Sequence, residues 1–401
     1  MGSRARWMVV ALSLLLVGLV IAGCGSSGGS STSASTGGET TAEEVSETNE
    51  SSSGGSDEIA AAKEFVAEHD NAANLRYPEP PKKPYNPGTG KVGIMVCSTT
   101  GTGCLEMGKQ AVRAAKAAGW EPSEIVDGEF NPAVQNAAIE RFVQQGVDGI
   151  IIGATDLPSL ETSLGAAEKA GIPVVCIACN EVSKYKGTGP VPIATVKGAV
   201  AGEYLGNLVV SKSEPGERII QFTDKAFTIL VERAKGAEKV IKEKCPSCEY
   251  ELQYVAAEEL SKPGPPYFSA ALATHPEGDL GWAFAPSDDF NIAGVKTIEQ
   301  QGRNVKVAGG DGEPGFLEEM LTSPEIAVGT IVEPFPYEAW SAMDNLARMK
   351  LGMKTWDTSD MPPFIVATKA VAEEAAEAAP DHYIPPGFEF EKMFEEIWSG
   401  S

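Results

Sequence analysis

From Lys91 onward the chain alternates short apolar runs with segments of helical spacing, and this alternation restricts the fold more than any other feature of its 401 residues. Residues 91–96, Lys-Val-Gly-Ile-Met-Val, are an apolar run of strand length. Met107, Ala111, Ala114 and Ala118 then recur at helical spacing until Gly119 stops them. Asn131 and Pro132 supply the cap and first turn of the next helix; its Val134, Ala138, Phe142 and Val143 share a face, and Gly146 ends it. A run at 149–153, a helix to about residue 170 and a run at 172–177 complete a βαβα series. Such order implies a parallel sheet covered by helices on both faces. The series restarts with strands expected at 218–222, 249–255, 281–285, 305–308 and 326–332. The fold class is therefore α/β, with two doubly wound parallel-sheet lobes. Ligands of such sheets bind beyond the carboxyl ends of the strands, so two facing lobes enclose a cleft there.

The N-terminus has a different character. Arg4 and Arg6 precede a sixteen-residue apolar run at 7–22, followed by Gly23 and Cys24. The run is short for a membrane span, which needs roughly 20 residues, so it reads as a cleavable signal over residues 1–23. The string Ile21-Ala22-Gly23-Cys24 resembles a lipobox, which makes Cys24 the lipidation site; an uncleaved signal anchor with a chance cysteine is the alternative. Residues 24–57 hold no aromatic and one large aliphatic, Val45, too little to offset the entropy of ordering the backbone. As a Gly/Ser coil this linker spans about 30 Å. The expected location is the extracytoplasmic face of the cell membrane, with the membrane reached through lipid only. Removing residues 1–23 leaves 30 basic against 56 acidic residues, a balance of −26, which repels nucleic acid and anionic headgroups.

Several residue strings resemble the type I periplasmic binding proteins, specifically the ribose-binding-like group that feeds sugars to ABC importers. In the first lobe these are Phe130-Asn131-Pro132, the run 146–152 and the run 169–175; in the second, 201–205, His275-Pro276, 284–288 and Gly310-Asp311-Gly312. They fall in the family's order over about residues 91–352. The resemblance implies a three-segment hinge near 194–197, 333–335 and 352–356. On that basis residues 58–90 form an N-terminal helix and Pro-rich lead-in, 91–195 plus 335–353 lobe 1, 196–334 plus 354–370 lobe 2, and 371–401 a C-terminal tail.

It also implies a ligand set: Thr99, Thr100, Thr102 and Cys104 after the first strand, Asn180 after the fourth, and Phe227, Arg233, Ser287, Asp288, Asp311 and Glu333 in the second lobe. Arg233 and Asp311 match the family's binding arginine and aspartate. Ser287 stands where an asparagine is usual, Glu333 or Pro334 where a glutamine is, and Ala178-Cys179 where an Asp-Arg pair grips sugar hydroxyls. With the first-lobe grip largely gone, the implied ligand is small, polar and sugar-like without being necessarily a pentose. The implied protein is a monomeric substrate-binding lipoprotein partnered by an ABC permease; a sensory module for a membrane kinase or chemoreceptor, or an exported enzyme, are the alternatives.

Each candidate has a plainer reading. Arg233 could be a solvated helix arginine, Asp311 a cap for a helix beginning near Pro314, and the Thr99–Gly103 string, which lacks the lysine and spacing of a phosphate loop, a tight turn. Trp282 and Trp340 adjoin apolar runs and read as core. Six cysteines remain beside Cys24. Cys245 and Cys248 lie in a turn and are expected to bond each other; Cys104 and Cys179 are a weaker candidate pair. Cys176 and Cys179, extended at a strand end, point to opposite faces and are expected not to bond. The 65 residues between the two Cys-x-x-Cys pairs do not match zinc-ribbon spacing of about 15–20, so no metal is expected. With only His69, His275 and His382, and neither a nucleophile elbow nor a dinucleotide fingerprint, no cofactor and no catalysis are expected.

Overall fold

The structure, a computed structural model, describes residues 54–180, 191–225, 227–256, 266–377 and 382–400. The signal, Cys24 and nearly all of the linker lie outside the described residues.

The apolar run at the start of lobe 1 becomes β1 (Lys91–Val96), flanked by β2 (Glu121–Asp127) and β3 (Gly149–Gly153), with β4 (Val174–Ile177) and β5 (Ile193–Ala194) beyond them. All four pairings are parallel, and the order β2-β1-β3-β4-β5 puts the most apolar strands inside. Between the strands run α2 (Thr102–Ala117), α3 (Pro132–Gln145) and α4 (Glu161–Lys169), while α1 (Gly54–His69) precedes the sheet. Helix α3 starts and stops as its sequence dictates: the Asn131 side chain accepts from the Ala133 amide, and Gly146 takes a left-handed backbone with φ of 65°.

Lobe 2 repeats the plan. Its elements are α5 (Gly198–Ser211), β6 (Arg218–Thr223), α6 (Thr228–Lys244), β7 (Glu249–Tyr254), α7 (Pro266–Thr274), β8 (Trp282–Phe284), α8 (Asp288–Gln300), β9 (Val307–Asp311), α9 (Pro314–Thr322) and β10 (Ala327–Val332). The sheet β7-β6-β8 meets the sheet β9-β10-β11 at one bridge, Trp282 to Lys306, and β11 (Phe364–Val366) closes the edge antiparallel to β10. Helices α5 and α6 cross without a spacer: a Cβ on Gly202 would stand 2.1 Å from the Arg233 carbonyl oxygen. Glycine there lets α6 lie close and carries Arg233 inward.

The first two crossovers fall where expected, at 194–197 and at 333–335, after which α10 (Phe335–Lys350) packs on α2 of lobe 1. The third comes later than 352–356, because Thr358 still pairs with Ala194 at the edge of the first sheet. The segment 371–401 is not a loose tail. Helix α11 (Lys369–Glu377) packs on α9, and α12 (Phe390–Ile397) packs on α10, burying Phe390, Phe394, Ile397 and Trp398. Trp282 and Trp340 are core residues, as their apolar neighbours imply. Among the described residues no helix is long and apolar enough to cross a membrane.

Candidate ligand-binding site

Strands of both lobes end at one cavity of about 90 Å³. Its wall from lobe 1 comes after β1 (Cys97, Gly103, Cys104), β2 (Phe130), β3 (Ala154) and β4 (Ala178). Lobe 2 contributes Phe227 and Arg233 after β6, Ser287 after β8, Asp311 at the end of β9 and Glu333 after β10. Five non-glycine residues have positive φ among the described residues, and four of them, Phe130, Ala154, Ala178 and Asp311, line this cavity. Such backbone costs on the order of 1–3 kcal/mol per residue, and its concentration here marks a site rather than a packing region.

Arg233 is the centre of the polar wall. It is 2% exposed, so it is no solvated helix arginine. Its Nη1 donates to Asp311 Oδ1 at 2.8 Å and to the Pro286 carbonyl at 2.6 Å, and its Nη2 donates to Glu333 Oε1. Ser287 Oγ donates to the other oxygen of Asp311 at 2.7 Å. Burial alone would lower the Arg233 pKa, but Glu333 and Asp311 hold it above the ordinary arginine value. Burial pushes Asp311 up, opposed by Arg233, and pushes Glu333 up to about 7 against the same pull. Asp311 caps no helix; the residue before Pro314 is Glu313.

The other expected ligand residues divide. Cys104 and Phe227 line the cavity with Arg233, Ser287, Asp311 and Glu333. Asp288 lies behind the wall: fully buried, it accepts from the Gly312 and Glu313 amides at 2.8 Å each and from Thr330, and so fixes the loop that carries Asp311. Thr99 is turned toward Asp127, to which it donates at 2.5 Å, and Thr100 toward Ser98. Thr102 and Asn180 join the lobes outside the cavity. The Thr102 amide donates to Asp289 at 2.7 Å, and the Asn180 side chain meets Thr228, the Ile229 amide and Glu232. Thr228 Oγ1 also donates to Asp156 at 2.6 Å, and Phe130 and Phe227 meet edge to face at 5.8 Å. The lobes are therefore closed on each other.

Sequence reasoning missed three residues. Glu313 lies on the cavity wall, 1% exposed, against the Asp289 carboxyl group. Glu338 accepts from the Val196 amide at 2.9 Å and ties α10 to the first crossover. Asn291 holds the Ala285 amide and the Ala285, Ser287 and Ala308 carbonyls, pinning the loop that presents Ser287. Glu313 sits two residues past Asp311, and its place directly after the run Gly310-Asp311-Gly312 was the available signal.

The disulfides correct the cysteine reading. The expected Cys245–Cys248 bridge is present, but Cys104 bonds Cys97 and not Cys179, and Cys179 bonds Cys176. The argument against the last pair assumed an extended chain. Ala178 instead adopts φ of 52°, turning the backbone so that the Cys176 and Cys179 Cα atoms lie 5.9 Å apart. The bridge Cys97–Cys104 closes the loop 98–103, which is thus a braced turn with Thr99 held by Asp127 and Thr100 by Ser98. Among the described residues no group of three or more His, Cys, Asp or Glu side chains is arranged to hold a metal ion.

A family model described as a periplasmic binding protein domain matches residues 92–354. The ribose import binding protein of Bacillus subtilis is 26% identical over 250 residues, covering 60% of this chain and 77% of its own length. That of Escherichia coli is 23% identical over 195 residues, covering 47% of this chain and 62% of its own. A Mycobacterium smegmatis ABC transporter solute binding protein with bound glycerol superposes with a TM-score of 0.65 at 20% identity, over 74% of this chain and 100% of that one. The Caulobacter myo-inositol binding protein gives 0.63 at 17%, over 71% and 95%. At these identities the likeness in structure is one of fold.

Proposed function

This chain belongs to the periplasmic binding protein family in its type I, ribose-binding-like form, and from that premise we propose that it is the substrate-binding lipoprotein of an ABC importer. In this reading the chain is held outside the cytoplasmic membrane by lipid on Cys24, captures a small polar, sugar-like solute between its lobes as a monomer, and presents the closed form to a permease. The observation that carries the reading is the cavity at the carboxyl ends of both sheets, walled on one side by Arg233, Asp311, Ser287 and Glu333. Its polar groups are already held by one another and by buried Asp288 and Asn291, so little ordering cost remains when a ligand arrives. Lobe closure removes the solute from water, and the crossovers at 194–197 and 333–335 are the segments about which it turns.

The relatives support the reading by what they bind: ribose import proteins in sequence, and glycerol and myo-inositol complexes in structure. The cavity of about 90 Å³ suits a solute well below drug size, for which pockets run to roughly 300–1,000 Å³. The test is mass spectrometry of the solute that co-purifies with the exported domain, followed by uptake of that solute in cells with and without the gene. A single small polar solute whose uptake falls in the deletion strain is expected; unchanged uptake would refute the import role.

A further inference from the structure

The cavity is charged in a way that a neutral sugar does not require. Asp289, Asp311, Glu313 and Glu333 all line it, against Arg233 as the lining cation. Arg233 is already paired with Asp311 and Glu333 through both terminal nitrogens, so its charge is more than balanced by two carboxyl groups although its Nε–H is left without a partner. Glu313 is the unbalanced group. At 1% exposure it faces the Asp289 carboxyl group, a contact that needs a proton between the two, and no other donor reaches either of its oxygens; one of them lies so near α2 that a Cβ on Gly103 would stand 3.0 Å from it. Glu333 Oε2 is likewise without a donor. A buried carboxylate left in this state is costly unless it is neutralised or paired.

The rest of the lining is apolar and aromatic: Phe130, Phe227, Phe290 and Phe335, with Met107 and Leu230. Carboxylates beside the faces and edges of phenyl rings are the surroundings in which an ammonium is stabilised, by ion pairing and by attraction to the ring quadrupole. Neutral hydroxyls would satisfy the acceptor geometry, but only a cation lets the crowded carboxyl groups of Asp289 and Glu313 ionise together.

Resting on the solute-binding reading above, we propose that the ligand carries a protonated amine, as in an amino alcohol or amino sugar, and that Glu313 is the residue that receives it. The hydroxyls of that ligand then meet the Arg233, Asp311 and Ser287 wall, while the ammonium is placed at the Glu313 side, near Phe335.

A matched pair of probes tests this: 2-amino-1,3-propanediol and glycerol, nearly equal in size and differing by an ammonium in place of a hydroxyl. Calorimetry on the exported domain at neutral pH should show the amine bound at least about tenfold more tightly, the value of a charge-assisted bond. That preference should collapse toward unity in Glu313→Gln, with Asp289→Asn as a second variant whose amide oxygen still accepts from Thr102; thermal melting of each confirms that it folds. Glycerol bound as tightly as the amine in the wild type, or a preference unchanged in both variants, would overturn the ammonium assignment and leave solute binding standing. If neither probe binds, the co-purified solute decides. A cationic solute supports the assignment, a neutral or anionic one overturns it alone, and the absence of both bound solute and probe binding removes it together with the solute-binding reading.

Discussion

Arg233 Nη2 donates to Glu333 Oε1 where helix α6 meets the second crossover between the lobes, and the two side chains are 3% and 1% exposed. The pair joins the ligand wall to the hinge. On the proposed reading, a change in what Arg233 holds is felt where the chain passes from lobe 2 to lobe 1, so that binding and closure would share one set of bonds. Glu338, one turn further into α10, continues the connection to the first crossover through Val196.

Arg233→Ala is expected to lower stability as well as affinity. It leaves Asp311 and Glu333 buried without their cation, a loss of about 3–5 kcal/mol. Removing Glu333 as well, in Arg233→Met with Glu333→Met, should recover only part of that loss, and adding Asp311→Asn should recover more, because Asp311 is the remaining buried carboxylate that Arg233 had paired. Urea unfolding of the ligand-free domain gives the comparison, and a single mutant with the wild-type midpoint would show that the pair contributes nothing to the fold.

Ligand-free protein should melt at a higher temperature near pH 5 than near pH 8. Burial raises the carboxyl pKa of Glu333 to about 7 and those of Asp288, Glu313 and Glu338 well above the usual range. Groups raised in the folded state bind protons there that the unfolded chain releases. Their contribution is complete below the ordinary value of about 4.5 and is lost as pH rises through the folded pKa. His382 acts in the opposite sense, since burial lowers its pKa and it favours folding less as pH falls below about 6.5. The four carboxyls outweigh it, so a melting temperature that climbs steadily from pH 5 to pH 8 would contradict this balance.

The lobes were legible in the sequence because their strands are buried on both faces and so read as unbroken apolar runs. Strand β2, Glu-Pro-Ser-Glu-Ile-Val-Asp, was not, because an edge strand with half-exposed residues carries no such run. Strand β11 has three residues and an antiparallel partner, and β5 has two; neither is long enough to show a period. Of the residues expected at the cleft, those at or just beyond the end of a strand, including Ser287, Asp311 and Glu333, line the cavity together with Arg233. Thr99 and Thr100 turn away from the cavity because loop geometry decides which way a polar side chain points, and Asp288, first residue of α8, turns inward to the Gly312 and Glu313 amides. The Cys97–Cys104 bridge and the left-handed Ala178 settle that geometry, and neither has a local signature.

Peptide mapping without reduction should return three bridges, each within a short stretch of chain: Cys97–Cys104, Cys176–Cys179 and Cys245–Cys248. The separations of seven, three and three residues keep each bridge within one or two peptides, so cleavage between Cys104 and Cys176 should release no cross-linked fragment. A Cys104–Cys179 peptide would refute the arrangement at the cleft rim.

Trp398→Ala should cost about 3–5 kcal/mol, as for other large-to-small changes at buried aromatics. Trp398 stacks on Trp340 with ring centroids 5.5 Å apart, and its indole N–H donates to Asp344 at 2.9 Å. Asp344 also accepts from Tyr85, Arg348 and Trp356, so the loss affects the N-terminal lead-in as well as α10. A melting temperature unchanged from wild type would mean that the C-terminal helix is an appendage after all.

Cys24→Ala should release the protein from membranes or leave the signal uncleaved. Arg4 and Arg6, the apolar run at 7–22 and the small residues before Cys24 occur together only at this point of the chain. No helix among the described residues is long and apolar enough to replace a lipid as the attachment. A single acyl chain gives marginal and reversible membrane binding, whereas the multiple acylation expected at a lipobox cysteine gives stable anchoring. Detergent phase partitioning of wild type and variant, with the N-terminus of each product identified by mass, separates the outcomes. A processed Cys24→Ala product that still enters the detergent phase would place the anchor elsewhere and remove the lipoprotein assignment.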